Sequence, residues 1–180
     1  MENIVLISPT IENENEANEF VKEFLEDNSH INGSSGLPKY IDNYKSWLEK
    51  IQNESNIDEN RSDRVPSSTF FAVRRGDNKI IGIVNIRHKL IGELLIKGGH
   101  IGYSVRPSER RKGNATEILY LGLLKIREKG IKNVLVTCSQ NNIGSAKTIQ
   151  KNMGLLENEL LYEGEVIKRY WINVDTINNK

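Results

Sequence analysis

The chain has 180 residues, enough for one domain with a real core. Its 25 lysines and arginines nearly balance 24 acidic residues, and a net charge of +1 argues against a bulk nucleic-acid or membrane binder. A single cysteine, Cys138, excludes an intramolecular disulfide and suits a reducing, cytoplasmic setting; Met1 to Thr10 lacks the basic start of a secretion signal, and no apolar run approaches the ~20 residues of a membrane span.

Ile4-Val5-Leu6-Ile7 predicts a short buried strand stopped by Pro9. Glu12 to Glu26 predicts a helix with Ala17, Phe20, Val21, Phe24 and Leu25 on one stripe. Asn32-Gly33-Ser34-Ser35-Gly36 is a loop by composition. Tyr40 to Ile51 reads as a helix, with Tyr40, Tyr44, Trp47, Leu48 and Ile51 at helical spacing. Asn53 to Pro66 is polar and charged and reads as a mobile connection.

Thr69 to Arg75 and Lys79 to His88 predict a strand pair around the turn Gly76-Asp77-Asn78. Gly99 to Val105 is the next strand. Asn114 to Lys129 is a helix with Ile118, Leu121, Leu124 and Ile126 inward, closed by Gly130. Val134 to Cys138 is a dense β-branched strand, Asn142 to Met153 a short helix, and Gly154 to Leu161 with Ile167 to Val174 a closing strand pair. The step from Gly99 to Cys138 has the length of a parallel strand–helix–strand crossover, and the other neighbours have short, antiparallel links. The expected fold class is α/β (α+β): a mixed, mostly antiparallel central sheet with one parallel crossover and helices on both faces.

Chemistry concentrates where a strand runs through Ser104-Val105 into the basic turn Arg110-Arg111-Lys112-Gly113 and at once into a helix at Asn114-Ala115. A helix start offers unpaired N–H groups and a positive dipole end, a ready site for a phosphate-bearing ligand. Gly113 removes a side chain where a ligand approaches the backbone. The helix starts near Gly113 and Asn142 fall on the carboxyl side of the sheet, where ligands of open sheets gather. The bland alternatives are a solvated basic loop, a capping role for Asn142 and an ordinary helical place for Ser145.

These residues resemble the GNAT superfamily of acyl-CoA N-acyltransferases, in an uncharacterised predicted-acetyltransferase branch. The family's Gln/Arg-x-x-Gly-x-Gly/Ala signature reads here Arg110-Arg111-Lys112-Gly113-Asn114-Ala115, preceded by Tyr103-Ser104-Val105 and Pro107. A second family segment runs from Asn141 to Asn152. The resemblance covers roughly Phe70 to Trp171 in detail. It implies a single acetyltransferase domain over 1–180, with acceptor-side helices and loop in 1–66 and the cofactor-binding part in 67–180. It also implies acetyl-CoA as co-substrate and a primary amine of a small molecule or peptide as acceptor. Amides of Arg111 to Ala115 would hold the pyrophosphate with Arg110 or Lys112 assisting. Main-chain groups of Ser104 and Val105 would bond pantetheine in a gap beside the next strand, and Asn142 and Ser145 would touch the far arm of the cofactor.

Direct attack by the amine on the thioester needs a route for its proton. His100 is a candidate base on its titration range, though a strand histidine is more often structural. Many family members carry a tyrosine seven residues after the helix asparagine as acid for the thiolate; Ile149 stands there in this chain and cannot donate a proton. The acid is then water, another side chain such as Tyr170, or dispensable, and Tyr170 also reads as an ordinary strand aromatic. Cys138 has no evident histidine partner and reads as a packed residue. His30, His88 and His100 lack metal-ligand spacing, so no metal is expected. Ile149 keeps alive a non-catalytic acyl-CoA-binding regulatory module, and the basic turn alone keeps alive a phosphate-binding interaction domain. Glu54, Asp58, Glu59 and Asp63 hint at a cationic acceptor, but a charge run is usually a solvated face. Whether the chain pairs as a homodimer stays open.

Overall fold

β3 (Ile80–Arg87) is apolar along nearly its whole length and buried on both faces, as a strand covered by helices on both sides must be. It lies inside a four-stranded antiparallel sheet of order β1-β2-β3-β4, with β1 Ile4–Ile7, β2 Ser67–Arg74 and β4 Ile101–Val105. A second antiparallel sheet has the order β5-β7-β6, with β5 Asn133–Ser139, β6 Leu155–Tyr162 and β7 Glu165–Asn173. The computed structural model from which this architecture is read describes residues 4–58, 60–61 and 63–177. Glu59 of the acidic run and Met1 to Asn3 lie outside the described residues.

Two cores flank the four-stranded sheet. On one face, α1 (Glu14–Glu26) buries Ala17, Phe20, Val21 and Phe24, and α2 (Tyr44–Ser55) buries Tyr44, Trp47 and Ile51. Trp47 stacks on Phe71 with ring centroids 5.6 Å apart and donates its indole N–H to the Ser34 carbonyl at 3.0 Å. Leu25, expected on the inner stripe, is 64% exposed, because it falls past the edge of the Ala17–Phe20–Phe24 row. The second helix begins at Tyr44 rather than Tyr40: the Asn43 side chain accepts from the Ser46 amide there, and Leu37–Tyr40 forms a 3-10 turn. It also runs on to Ser55, into the expected connection.

On the other face, α3 (Asn114–Arg127) packs Ile118, Leu119, Leu123 and Ile126 into a core shared with β5, β7 and Ile149 of α4 (Ile143–Lys151). Leu121 and Leu124 are only half-buried, since Leu119 and Leu123 take the inner positions. The one parallel step of the expected mixed sheet is the seam between β4 and β5, and it closes at one end only. There the His100 amide donates to the Leu135 carbonyl at 2.8 Å and the Leu135 amide donates to His100 Nδ1 at 2.9 Å. Among the described residues no backbone hydrogen bond joins the strands beyond that point, so they diverge toward their carboxyl ends. No described helix is long and apolar enough to cross a membrane.

Candidate active site

The diverging strands open a cleft of about 1060 Å³, bordered by Ile101–Val105 on one side and by Thr137, Cys138 and Ser139 on the other. Strand alternation tells which backbone groups face it. The Arg106 amide donates to Ile81 and the Arg87 amide to His100, so even-numbered residues of β4 turn their main chain toward β3. Tyr103 and Val105 therefore aim their N–H and C=O groups into the gap. By the same count, with Gln140 donating to Val166, Thr137 and Ser139 face it from β5. This corrects Ser104: its main chain pairs with β3, and its hydroxyl accepts from the Asn32 amide at 2.7 Å. That bond seats the α1–α2 loop on β4 so closely that a Cβ on Gly33 would lie 2.0 Å from the Gly102 carbonyl oxygen.

Past Val105 the chain makes a turn that ends in α3. Arg111 (φ 62°) and Gly113 (φ 88°) both adopt the left-handed conformation, which bends successive amides toward one side. Among the described residues the amides of Arg111, Lys112, Gly113, Asn114 and Ala115 donate no backbone hydrogen bond. A Cβ built on Gly113 meets nothing within 4 Å, so the approach to these amides is open. Buried Asn114 fixes the turn by donating its side-chain amide to the Glu109 carbonyl at 3.0 Å.

The three basic residues of the turn divide. Arg110 borders the cleft but binds Asp27 at 2.7 Å, the Ser29 hydroxyl and the Val105 carbonyl, and lies over the Phe24 ring. Arg111 also borders the cleft, and among the described residues its side chain makes no hydrogen bond or ion pair. Lys112 does not border it; its ammonium sits 2.9 Å from buried Glu109, which also meets Arg74 and Lys79. Burial alone would raise the Glu109 carboxyl, and Lys112, Arg74 and Lys79 more than offset this and hold it below its ordinary range. The cation it withholds from the cleft is replaced by Lys147 and Lys151, one helical turn apart on α4, which sequence reading did not single out.

At the start of α4 the Asn142 side chain accepts from the Ser145 amide at 2.9 Å, so it caps the helix and still borders the cleft. The Ser145 hydroxyl lies 3.2 Å from the Tyr103 hydroxyl. Tyr103 is a third residue missed by sequence reading, although it sits inside the motif flank; only the strand's register turns its ring to α4. Burial pushes its phenol pKa up, against the lowering effect of Ser145 and Thr148, and keeps it a protonated donor. Ile149 is wholly buried, against Gly154.

The two candidate proton carriers do not reach the cleft lining. His100 is buried at the closed end of the seam, where burial pushes it down to about 4. Its Nδ1 already accepts a hydrogen bond, which leaves the neutral ring's hydrogen on Nε2 and no free lone pair to take a proton. Tyr170 is 2% exposed inside the α3 core. Cys138 borders the cleft, but burial pushes its thiol pKa up, away from a thiolate. Among the described residues no group of His, Cys, Asp and Glu comes together that could hold a metal.

Residues 5–153 match the acetyltransferase (GNAT) domain family. No curated protein sequence matches the chain. Among solved structures, RimJ of Mycobacterium smegmatis in complex with CoA-disulfide is 15% identical, covers 98% of this chain and 84% of its own, and superposes with a TM-score of 0.73. An N-acetyltransferase from Staphylococcus aureus Mu50 is 16% identical over 96% of this chain and 99% of its own, with a TM-score of 0.65. The microcin C7 self-immunity acetyltransferase MccE in complex with acetyl-CoA and AMP is 19% identical over 96% and 93%, with a TM-score of 0.64. At these identities the likeness is one of fold. With the family match running over most of its length, the chain belongs to the GNAT family of acetyl-CoA-dependent acetyltransferases.

Proposed function

We propose that the chain moves the acetyl group of acetyl-CoA onto a primary amine by direct attack inside the cleft between β4 and β5. The observation that carries this reading is the main-chain edge of Tyr103 and Val105, whose amides have no backbone partner among the described residues and whose one engaged group is the Val105 carbonyl, held by Arg110 Nε at 3.3 Å; it leads straight to five free amides at the mouth of α3. An extended pantetheine with its own amides fits such an edge as an added strand would. The turn amides then hold the diphosphate, with Arg111, Lys147 and Lys151 supplying countercharge. A β4 amide aimed at the thioester oxygen favours the charge that develops there on attack. The Tyr103 hydroxyl replaces the missing α4 tyrosine as donor to the departing sulfur, and water takes the amine's proton. A thiol with a pKa of roughly 8–9 needs only modest help to leave. Residues 1–66 form the acceptor side and 67–180 the cofactor side of one domain.

Thiol release from acetyl-CoA over a panel of amino acids, polyamines, aminoglycosides and peptides tests the reading. Release with at least one amine class is expected, and Tyr103→Phe should lower kcat by about 10²-fold while leaving the KM for acetyl-CoA within a few-fold. Ile149 favours one rival, a non-catalytic acyl-CoA-binding module, which binds the cofactor and releases no thiol with any amine. Equal affinity for ATP and desulfo-CoA would instead identify a general phosphate-binding domain.

A further inference from the structure

A second cavity, of about 740 Å³, lies on the α1/α2 face of the sheet, and Arg87 and Gly33 border both it and the cleft. Arg87 ends β3 on the same face as Ile83 and Asn85, next to the closed end of the seam. Its guanidinium is held from one side: Nη1 donates to the Gly99 carbonyl at 2.8 Å and the Gly98 carbonyl at 3.2 Å. Those two bonds use both Nη1 hydrogens. Among the described residues Nε and Nη2 have no acceptor, and no carboxylate lies within ion-pair distance. The edge left over is the pair of parallel N–H groups that matches two oxygens of one oxyanion.

Glu54, whose charge acts on Arg87, and the described acidic residues that follow it do not fill that role. Glu54 is ion-paired with Lys50, which also donates to the Ser35 carbonyl. Asp63 is held by Arg61 at 2.7 Å, and Asp58 accepts from the Asn60 amides. The charged groups that border the second cavity are Lys50, Arg64 and Arg87 against Glu49 and Glu54, an excess of positive charge. Among the described residues of the acidic run, Glu54 alone borders this cavity, and the excess of positive charge there suits an anionic group rather than a cationic one.

Resting on the acetyltransferase reading, we infer that the acceptor is an amine that carries an oxyanion, a carboxylate or phosphate, on the same molecule, and that the Nε/Nη2 edge of Arg87 docks this group. The oxyanion is held at the junction of the two cavities, and the amine of the same molecule points into the cleft, past Gly33, toward the thioester. Arg87 is thus a specificity-determining residue: it touches the acceptor but not the bonds that change. A cation-only amine, such as a polyamine, meets a guanidinium where it needs a carboxylate.

The test is a thiol-release assay on matched pairs: amino acids against their amides, and aminoalkyl phosphates against the corresponding amino alcohols. The oxyanion-bearing member is expected to have a kcat/KM at least 10-fold above its partner, and whichever set wins identifies the oxyanion. Arg87→Gln should erase that ratio through KM with kcat little changed, and Arg87→Lys should restore part of it. Equal rates within every pair, or a ratio that survives Arg87→Gln, would overturn the inference and leave the acetyltransferase reading intact. If Arg87→Gln fails to fold, the wild-type ratio decides alone. If no amine is acetylated, the acetyltransferase reading itself fails, and the docking edge is then read from the Arg87 Nε–H resonance. Its shift with sodium acetate but not acetamide supports the oxyanion site, and its indifference to both ends it.

Discussion

The His100 imidazole accepts the Leu135 amide, lies in the buried seam, and titrates at about 4 instead of its ordinary 6.5. The sign of its pH effect follows from the depressed value. The unfolded chain binds the proton more readily, so between pH 6.5 and 4 protonation favours unfolding; stability is present above 6.5 and is lost as the pH falls through this window. The loss is about 2 kcal/mol once partial solvent screening is allowed for. His100→Ala should lower the melting temperature at pH 8 and flatten its slope between pH 6.5 and 4, with turnover of the remaining folded enzyme within a few-fold. A hundredfold fall in kcat with an unchanged melting curve would return the base role to His100. Gly113 is the opposite kind of residue, open to solvent and strained for any side chain at φ 88°. Gly113→Glu adds a carboxylate where a diphosphate is to bind, so calorimetry should find coenzyme A affinity reduced beyond detection, at a cost of about 1–2 kcal/mol in stability. The sequence already displayed Gly113 through its motif. It pointed to His100 and passed over Tyr103, because which residue in or beside a strand faces a cleft depends on a neighbouring strand.

α1 is fastened to the turn before α3 by one buried side chain. Arg106 is 5% exposed and meets Glu16 through Nη1 and Glu23 through Nε, the latter at 2.6 Å; the two carboxylates lie two turns apart on α1. Burial alone would raise the Glu23 carboxyl, but the Ser108 amide and the Arg106 guanidinium more than offset that and hold it below its ordinary range. Its contribution is therefore full above the unfolded pKa and disappears as the pH falls through the lower folded one. Arg106→Met takes the guanidinium from both carboxylates and leaves Glu23 with the Ser108 amide and Glu16 with the Ile80 amide, a loss of about 2 kcal/mol measurable by denaturant melting at pH 7 that should shrink toward pH 3. The same fastening shows why element positions were legible and their ends were not. The apolar stripes of α1, α2 and α3 announce helices wherever they occur. The start of α2, by contrast, was decided by the Asn43 cap rather than by the earlier Tyr40, which shares the helical spacing. Arg106 itself looks in sequence like one more cation of the basic turn, and only the packed helix distinguishes it from the exposed Arg111.

At the scale of the whole molecule, two sheets with separate hydrogen-bond ladders meet at His100 and Leu135 and part company beyond them. Hydrophobic periodicity reports that β4 and β5 are strands and that α3 links them. It carries no information on whether two strands joined in this way stay paired, which is why the gap was implied by family resemblance and not by the pattern of residues. The gap makes the edge amides a direct readout of the cofactor's place. Amides of Tyr103 and Val105 face an unpaired edge, whereas that of Ser104 lies in the ladder with β3. Without ligand, hydrogen exchange should be fast at Tyr103 and Val105 and slow at Ser104. Coenzyme A, at 100 times its dissociation constant, adds about 2.7 kcal/mol to the stability of the whole domain. That corresponds to a rise of roughly 5–10 °C in melting temperature for a chain of this size. Every slow amide then slows further by a common factor, and the Tyr103 and Val105 amides should gain protection beyond that factor, because their own hydrogens acquire acceptors. Uniform slowing, with no excess at these two residues, would mean that the cofactor binds the protein without lying along β4.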